Sequence, residues 1–112
     1  MATQTSIGEL VLVLTNEVNS TIADGLAKEL LNQRLVACVS LREIKSHFRW
    51  EDKVEEVNEV ELLIKTTENN LANVINAIQA LHSYKTPEIL YWDVSSIDGY
   101  RKWVKDVVSS SL

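Results

Sequence analysis

The strongest constraint on the fold is a pair of long apolar–polar alternations on either side of a short polar turn. Ala37, Val39 and Leu41 alternate with polar or small residues in the first arm, and residues 54–67 form the second. A period of two places successive side chains on opposite faces of a strand, so both arms are predicted strands. The turn at residues 51–53 predicts the tip of a hairpin with arms of about 13 residues.

The apolar phase changes within the first arm of this hairpin. Val39 and Leu41 occupy odd positions, whereas Ile44 and Trp50 occupy even ones. A β-bulge inserts one extra residue and thereby reverses which face the following side chains occupy. The sequence therefore predicts a bulge near residues 42–43.

The remaining segments complete an alternating order of strands and helices. An aliphatic run predicts a buried strand at 9–15, and apolar residues repeat at helical spacing in three other segments. The predicted elements are a strand at 9–15, a helix from a cap at 19–21 to near Arg34, the two hairpin arms, a helix from Thr67 or Glu68 to Leu81 or His82, a strand at 89–92, and a last helix capped by Ser95 or Ser96. This β-α-β-β-α-β-α order predicts an α+β fold: a ferredoxin-like split βαβ sandwich with a long hairpin of its second and third strands and an extra C-terminal helix. Both crossover helices should cover one face of the sheet.

The predicted hairpin is longer than the helices that should cover it. Arms of about 13 residues extend about 43 Å, whereas helices of about 16 residues reach only about 24 Å. The outer hairpin, which carries Phe48 and Trp50, is therefore expected to project past the helices. Because exposed apolar side chains and open strand edges usually mark an interface, the mismatch predicts an obligate oligomer.

Charge and composition exclude several function classes. The 112 residues contain 11 Lys and Arg against 16 Asp and Glu, a net charge of -5. This balance disfavours nucleic-acid binding and a polybasic membrane patch, and it leaves cations as plausible partners. The single cysteine, Cys38, forms no internal disulfide, and the first apolar run, at 10–14, is far shorter than the roughly 20 residues that span a bilayer. We expect one soluble, cytoplasmic domain over residues 1–112.

Four segments resemble motifs of the CutA family of divalent-cation tolerance proteins. They are R-L-V-A-C-V at 34–39, S-H-F-R-W at 46–50 followed by Lys53, E-V-E-L-L-I-K-T-T at 59–67, and L-H-S-Y-K-T-P-E-I at 81–89. The resemblance implies a ferredoxin-like subunit and a homotrimer whose hairpins wrap neighbouring subunits. It also implies a role linked to copper and other divalent metals, as a metal-binding or signalling module in the response to metal ions.

The resemblance also identifies candidate metal ligands. At the three positions of a copper site proposed within the family, this chain has Leu14, Leu81 and His82, and leucine offers no lone pair. His82 and Cys38 are therefore the candidate ligands for Cu2+ or another divalent cation, which we expect to bind weakly and not as an obligatory cofactor. The alternatives are a helix-capping or hydrogen-bonded interface histidine and a buried, inert thiol.

A second candidate site lies in the same motif segments. Trp50, Lys65, Tyr84 and Glu88 are predicted to converge at a subunit interface, where Lys65 and Glu88 could pair and two aromatic rings could wall a ligand cleft. The alternative is a salt bridge with aromatic packing that locks the trimer. Glu59 and Glu61 share one strand face, where they could bind a hard cation or simply form a solvated edge.

The sequence leaves a second function open and argues against catalysis. The alternative function is a small-molecule-sensing regulatory trimer similar to the nitrogen signal-transduction proteins, although no Gly-rich phosphate loop is present. An acylphosphatase-like hydrolase needs an arginine in the first βα loop, and residues 15–19 contain none. We therefore expect no enzyme, with copies of the chain and divalent metal ions as partners, no nucleic-acid or membrane partner, and room for an unknown protein partner.

Overall fold

The computed structural model describes residues 5–108, with side-chain environments from residue 9 onward. The described elements are β1 (Thr5–Glu17), α1 (Ser20–Asn32), β2 (Cys38–Trp50), β3 (Lys53–Thr67), a short 3-10 turn (Glu68–Asn70), α2 (Leu71–Leu81), β4 (Leu90–Ile97) and α3 (Asp98–Val107). This order confirms the predicted α+β arrangement. No helix in the described range is long and apolar enough to cross a membrane.

The four strands form one antiparallel sheet in the order β2-β3-β1-β4. One face of its two central strands packs against α1 and α2, and the fully buried residues of this core include Val13, Leu30, Ile64 and Ile78. We call this the helix face and the other the open face. The aliphatic run of β1 is explained by its central place, because Leu10 on the open face is also buried, under Val104 of α3.

The hairpin contains no bulge, so that prediction is wrong. The β2–β3 register is continuous from Cys38 opposite Lys65 to Trp50 opposite Lys53. The apolar residues change face because the cover changes. Val39 and Leu41 pack on the helix-face core, whereas beyond Arg42 the helix-face positions are exposed and polar. The register shift in the sheet lies instead between β1 and β4, between Ser6 and Leu10.

Two predicted boundaries also differ from the structure. Ser95 and Ser96 belong to β4, where Ser96 is paired with Ser6, and they do not cap the last helix. The last helix instead begins at Asp98, after Ile97. The missed extension has a physical reason, since strand pairing with β1 is a nonlocal interaction that a local capping signal does not reveal. At α1, by contrast, the predicted cap is present: the Asn19 side chain accepts a hydrogen bond from the Ile22 N–H at 2.9 Å.

The length mismatch between hairpin and helices is present and larger than predicted. The hairpin strands have 13 and 15 residues, while α1 has 13 and α2 has only 11. The described chain is accordingly elongated, with extents of 53 × 30 × 20 Å. We call residues 44–59 the distal hairpin; they lie beyond the helix-covered part of the sheet.

Candidate functional site

The segment that follows α2 packs across the end of β1. His82 is the C-cap residue of α2, and the chain then runs without regular structure to residue 89 before β4. We call residues 82–88 the site loop. Its side chains and backbone contact Thr15, Asn16 and Glu17 at the end of β1, so one loop meets both faces of the sheet.

Glu17 anchors this loop from inside the protein. Its side chain is fully buried, and its carboxylate accepts hydrogen bonds from the Val18 N–H at 3.1 Å and from the Ser83 N–H at 3.0 Å. The Ser83 hydroxyl donates a third, short hydrogen bond. A buried carboxylate is costly unless it is hydrogen-bonded, so these donors fix the position of the loop relative to β1.

His82 is buried, and both ring nitrogens are engaged. Its Nδ1 accepts a hydrogen bond from the Tyr84 N–H at 3.0 Å, and its Nε2 lies 3.1 Å from the Thr15 Oγ1. Because Nδ1 accepts from a backbone amide, this geometry assigns the ring proton to Nε2, which donates to Thr15. Glu17 Oε2 lies 3.4 Å from Nδ1 without a hydrogen bond in this tautomer. His82 thus has no free lone pair for a metal.

Tyr84 connects the site loop to the hairpin. Its hydroxyl donates to Glu59 Oε2 at 2.6 Å, and its ring lies 5.0 Å from the ring of His82. Burial of the phenol raises the pKa of Tyr84 strongly, and the hydrogen bond to Glu59 raises it further. Glu59 is itself buried and so is not part of a solvated edge, whereas Glu61 on the same face pairs with Arg42 at 2.9 Å.

The sequence patterns did not single out Glu17, and they indicated Glu59 only as a cation ligand or part of a solvated edge. A signal for Glu17 was present, because it continues the odd positions Val11, Val13 and Thr15 that point to the helix face. An acid in that phase must find donors inside the protein. Glu59 gave no such signal, because its partner Tyr84 is 25 residues away.

Three of the four predicted cleft residues line one groove. Trp50, Tyr84 and Glu88 border a groove of about 920 Å³, which lies between the open face of the distal hairpin and the site loop. The fourth residue, Lys65, lies elsewhere, where it donates to Ser40 Oγ at 2.5 Å. Within the chain, Glu88 accepts from the Asn16 amide at 2.5 Å and is not paired with Lys65.

The structure does not bring the two candidate metal ligands together. Cys38 is half-buried on the open face, in one cross-strand row with Lys65 and Leu12, and its Sγ lies 3.7 Å from the Lys65 ammonium. His82 contacts Thr15, which is three residues further along β1 and on the helix face. Over the part of the chain that is described, no group of three or more His, Cys, Asp or Glu side chains is placed to hold a metal ion. The described donors of this chain therefore do not form a closed metal site by themselves.

The fold and site define a class of protein: a ferredoxin-like α+β domain with an overhanging hairpin and a groove beside the site loop. A family model described as CutA1 divalent ion tolerance protein matches residues 11–107. The chain belongs to this family.

Relatives and solved structures agree with this assignment. The divalent-cation tolerance protein CutA of Pyrococcus horikoshii is 35% identical over 96 residues, which cover 85% of this chain and 94% of the relative. The structure of CutA from Synechococcus elongatus superposes with a TM-score of 0.90 at 30% identity, covering 95% of this chain and 96% of that one. The periplasmic divalent cation tolerance protein CutA from Archaeoglobus fulgidus gives a TM-score of 0.86 at 31% identity, covering 89% of this chain and 99% of that one. These relatives are named as tolerance proteins and not as enzymes.

Proposed function

We propose that the chain acts in divalent-cation tolerance as a homotrimer, and that it is a metal-responsive binding or signalling module without catalytic activity. The observation that carries the proposal is the exposure of large apolar side chains on both faces of β4 and on α3, at an open edge of the sheet. Six large side chains there are 40–58% exposed: Leu90, Tyr91, Trp92, Ile97, Tyr100 and Trp103. A surface of this kind favours association with another protein chain.

The sheet topology is compatible with a ring of copies. The two edge strands, β2 and β4, lie on opposite sides of the sheet and differ in length and sequence. A contact between two different edges is heterologous, and heterologous contacts close into rings when the rotation permits. Burying the β4–α3 surface of each copy against a neighbour would protect its edge and its aromatic side chains.

The metal-responsive part of the proposal is supported by the family assignment and does not require a complete site in each subunit. The ring nitrogens of His82 hold the site loop. Cys38 is the remaining predicted soft ligand, and it lies on the open face, where copies could share a copper ion. Binding of this kind would be weak and would depend on assembly.

Sedimentation velocity tests the assembly. The expected species has three times the 12.7 kDa subunit mass, and Trp92→Glu is expected to reduce that mass because it places a charge in the apolar surface. Lys28→Glu, an exposed charge change on α1, is the control and should leave the mass unchanged. A stable, folded monomer of the unaltered chain at working concentration would overturn the proposal.

Calorimetric titration of the assembled protein with copper tests the metal response. Uptake that is lost in Cys38→Ala supports a shared site, whereas uptake that persists in Cys38→Ala removes Cys38 from the proposal.

The alternative function, a regulatory trimer that senses a small molecule, is favoured by the groove beside Trp50 and Tyr84. Saturable uptake of a small molecule without copper uptake would favour that alternative.

A further inference from the structure

The distal hairpin has less internal support than the rest of the sheet. The pairing of β1 with β3 extends from Leu10 opposite Thr67 to Glu17 opposite Val60, so residues 44–59 have no third strand among the described elements. The buried residues of β3 that pack in the core with α1 and α2 also end at Val60. A two-stranded ribbon alone in water is marginally stable and variable in twist. The angle at which the hairpin leaves the sheet therefore depends on contacts at its base.

One side-chain contact reaches this base from outside the hairpin. The Tyr84 hydroxyl donates to Glu59 Oε2 at 2.6 Å, and Glu59 is the hairpin residue next to Val60, where the support from β1 ends. Over residues 9–108, it is the only side-chain hydrogen bond or ion pair that joins residues 44–59 to the rest of the chain. Because Glu59 is buried, this hydrogen bond is stronger than it would be in water.

The other end of this contact is held in the interior of the protein. The Glu17 carboxylate accepts from the Ser83 N–H at 3.0 Å, and His82 Nδ1 accepts from the Tyr84 N–H at 3.0 Å. The side chains of Glu17 and His82 are both fully buried. A connected series of hydrogen bonds therefore runs from the end of β1 through the site loop to the base of the hairpin. Because its inner members are fixed by packing, the series fixes the position of the Tyr84 hydroxyl.

We propose that the Tyr84–Glu59 hydrogen bond is a brace that sets the angle of the distal hairpin, and that the site loop of each copy thereby controls how its hairpin engages the neighbouring copy. This inference rests on the homotrimer proposed above. The strand from Lys53 to Glu59 is about 20 Å long, so a rotation of about 10° at its base displaces the tip by about 3.5 Å. Side chains are in contact only within about 4 Å, so this displacement is enough to break contacts across an interface. Tyr84 is accordingly a positioning residue that acts on assembly through the hairpin.

Distances measured by double electron–electron resonance test the brace. Spin labels on Lys28→Cys in α1 and Lys53→Cys at the hairpin tip, in a Cys38→Ala background, report the hairpin angle within one copy when labelled chains are diluted with unlabelled ones. The intact brace should give a narrow distance distribution, and Tyr84→Phe should shift or broaden it by several ångström. Tyr91→Phe is the matched control, because the Tyr91 hydroxyl makes no hydrogen bond among the described residues. An unchanged distribution in folded Tyr84→Phe would overturn the proposal.

Variants of Glu59 separate the hydrogen bond from the packing of the tyrosine ring. Glu59→Gln keeps an oxygen that accepts from the Tyr84 hydroxyl and should keep the narrow distribution, whereas Glu59→Ala should reproduce the change in Tyr84→Phe. The combined Tyr84→Phe/Glu59→Ala variant should change no more than either single variant, because both remove the same bond. Additive changes would contradict the brace. Circular dichroism checks folding, and if Tyr84→Phe does not fold, Glu59→Ala against Glu59→Gln supplies the same comparison.

Sedimentation velocity over a dilution series tests the link to assembly. A hairpin that must be ordered at the moment of association weakens the association, so Tyr84→Phe should dissociate at a protein concentration at least about tenfold higher than the unaltered chain. Tyr91→Phe and Glu59→Gln should dissociate as the unaltered chain does. The same dissociation in Tyr84→Phe as in the unaltered chain would overturn the control of assembly. A monomeric unaltered chain would overturn the homotrimer, and the distance measurement would then decide the brace by itself.

Discussion

The helix-covered sheet and the distal hairpin are built from the same two strands, yet they distribute apolar residues in opposite ways. In the helix-covered part, Leu41 and Leu62 face α1 and α2, and Leu62 is fully buried. In the distal hairpin, Phe48 and Trp50 lie on the open face instead. The difference shows that alternation alone gives the period of a strand, while the neighbouring layer decides which face is apolar.

The largest expected effect is the loss of stability when a buried side chain of the helix-covered part is truncated, compared with an exposed side chain of the distal hairpin. Ile64→Ala, at a fully buried position, is expected to lower the free energy of unfolding by about 2–5 kcal/mol, because it leaves a cavity between sheet and helices. Val54→Ala is the comparison in the distal hairpin, where the side chain is 67% exposed, and it should cost less than about 0.5 kcal/mol. Urea unfolding measures both. A large cost at Val54 would mean that another copy covers the hairpin tip.

The next effect concerns the loop that joins the two regions. Glu17→Ala removes the acceptor of the Val18 and Ser83 donors and is expected to lower the free energy of unfolding by about 3 kcal/mol. Glu61→Ala is the control, because its Arg42 partner is mostly solvent-exposed and the pair should contribute under about 1 kcal/mol. Comparable losses in the two variants would contradict the anchoring role of Glu17.

Tyr84 gives a pH-dependent test of the contact between the site loop and the hairpin. Its pKa is raised above the ordinary value of 10.0 by burial, so the folded protein keeps the phenol proton more tightly than the unfolded chain. The stability from this group is therefore fully present below pH 10 and falls as the pH rises further. Tyr84→Phe should cost about 1–2 kcal/mol at neutral pH, because it leaves Glu59 without its donor.

Phenolate absorbance during an alkaline titration checks the Tyr84 prediction. One of the three tyrosines should ionise well after free tyrosine, and that late step should be missing in Tyr84→Phe. Burial also raises the pKa of Tyr100, so the same alkaline titration must also be carried out on Tyr100→Phe. A late step that survives in Tyr84→Phe but disappears in Tyr100→Phe would assign it to α3.

The smallest expected effect is confined to the helical layer. Asn19→Ala removes the cap of α1 and is expected to cost about 1 kcal/mol, as measured by thermal unfolding. Asn19→Ser keeps a capping oxygen and should lose little. Equal losses in Asn19→Ser and Asn19→Ala would contradict the capping role.

Local patterns were sufficient for the elements and insufficient for the site. The cap at Asn19, the hairpin turn and the order of the elements depend on neighbouring residues, so the sequence predicts them. The predicted bulge failed because a change in the covering layer leaves the same trace in a sequence as an inserted residue. Of the cleft residues, Trp50, Tyr84 and Glu88 line one groove, but Lys65 turns to Ser40.

The sequence by itself determined the order of strands and helices, the greater length of the hairpin relative to the helices, and the family motifs. Each of these features follows from the spacing of nearby residues or from the length of a segment. Only the tertiary structure decided that Glu17 is an internal anchor, that both ring nitrogens of His82 are engaged within the fold, and that Trp50, Tyr84 and Glu88 line one groove. These properties depend on residues far apart in the chain, and their energies come from burial and hydrogen bonding that exist only after the layers pack.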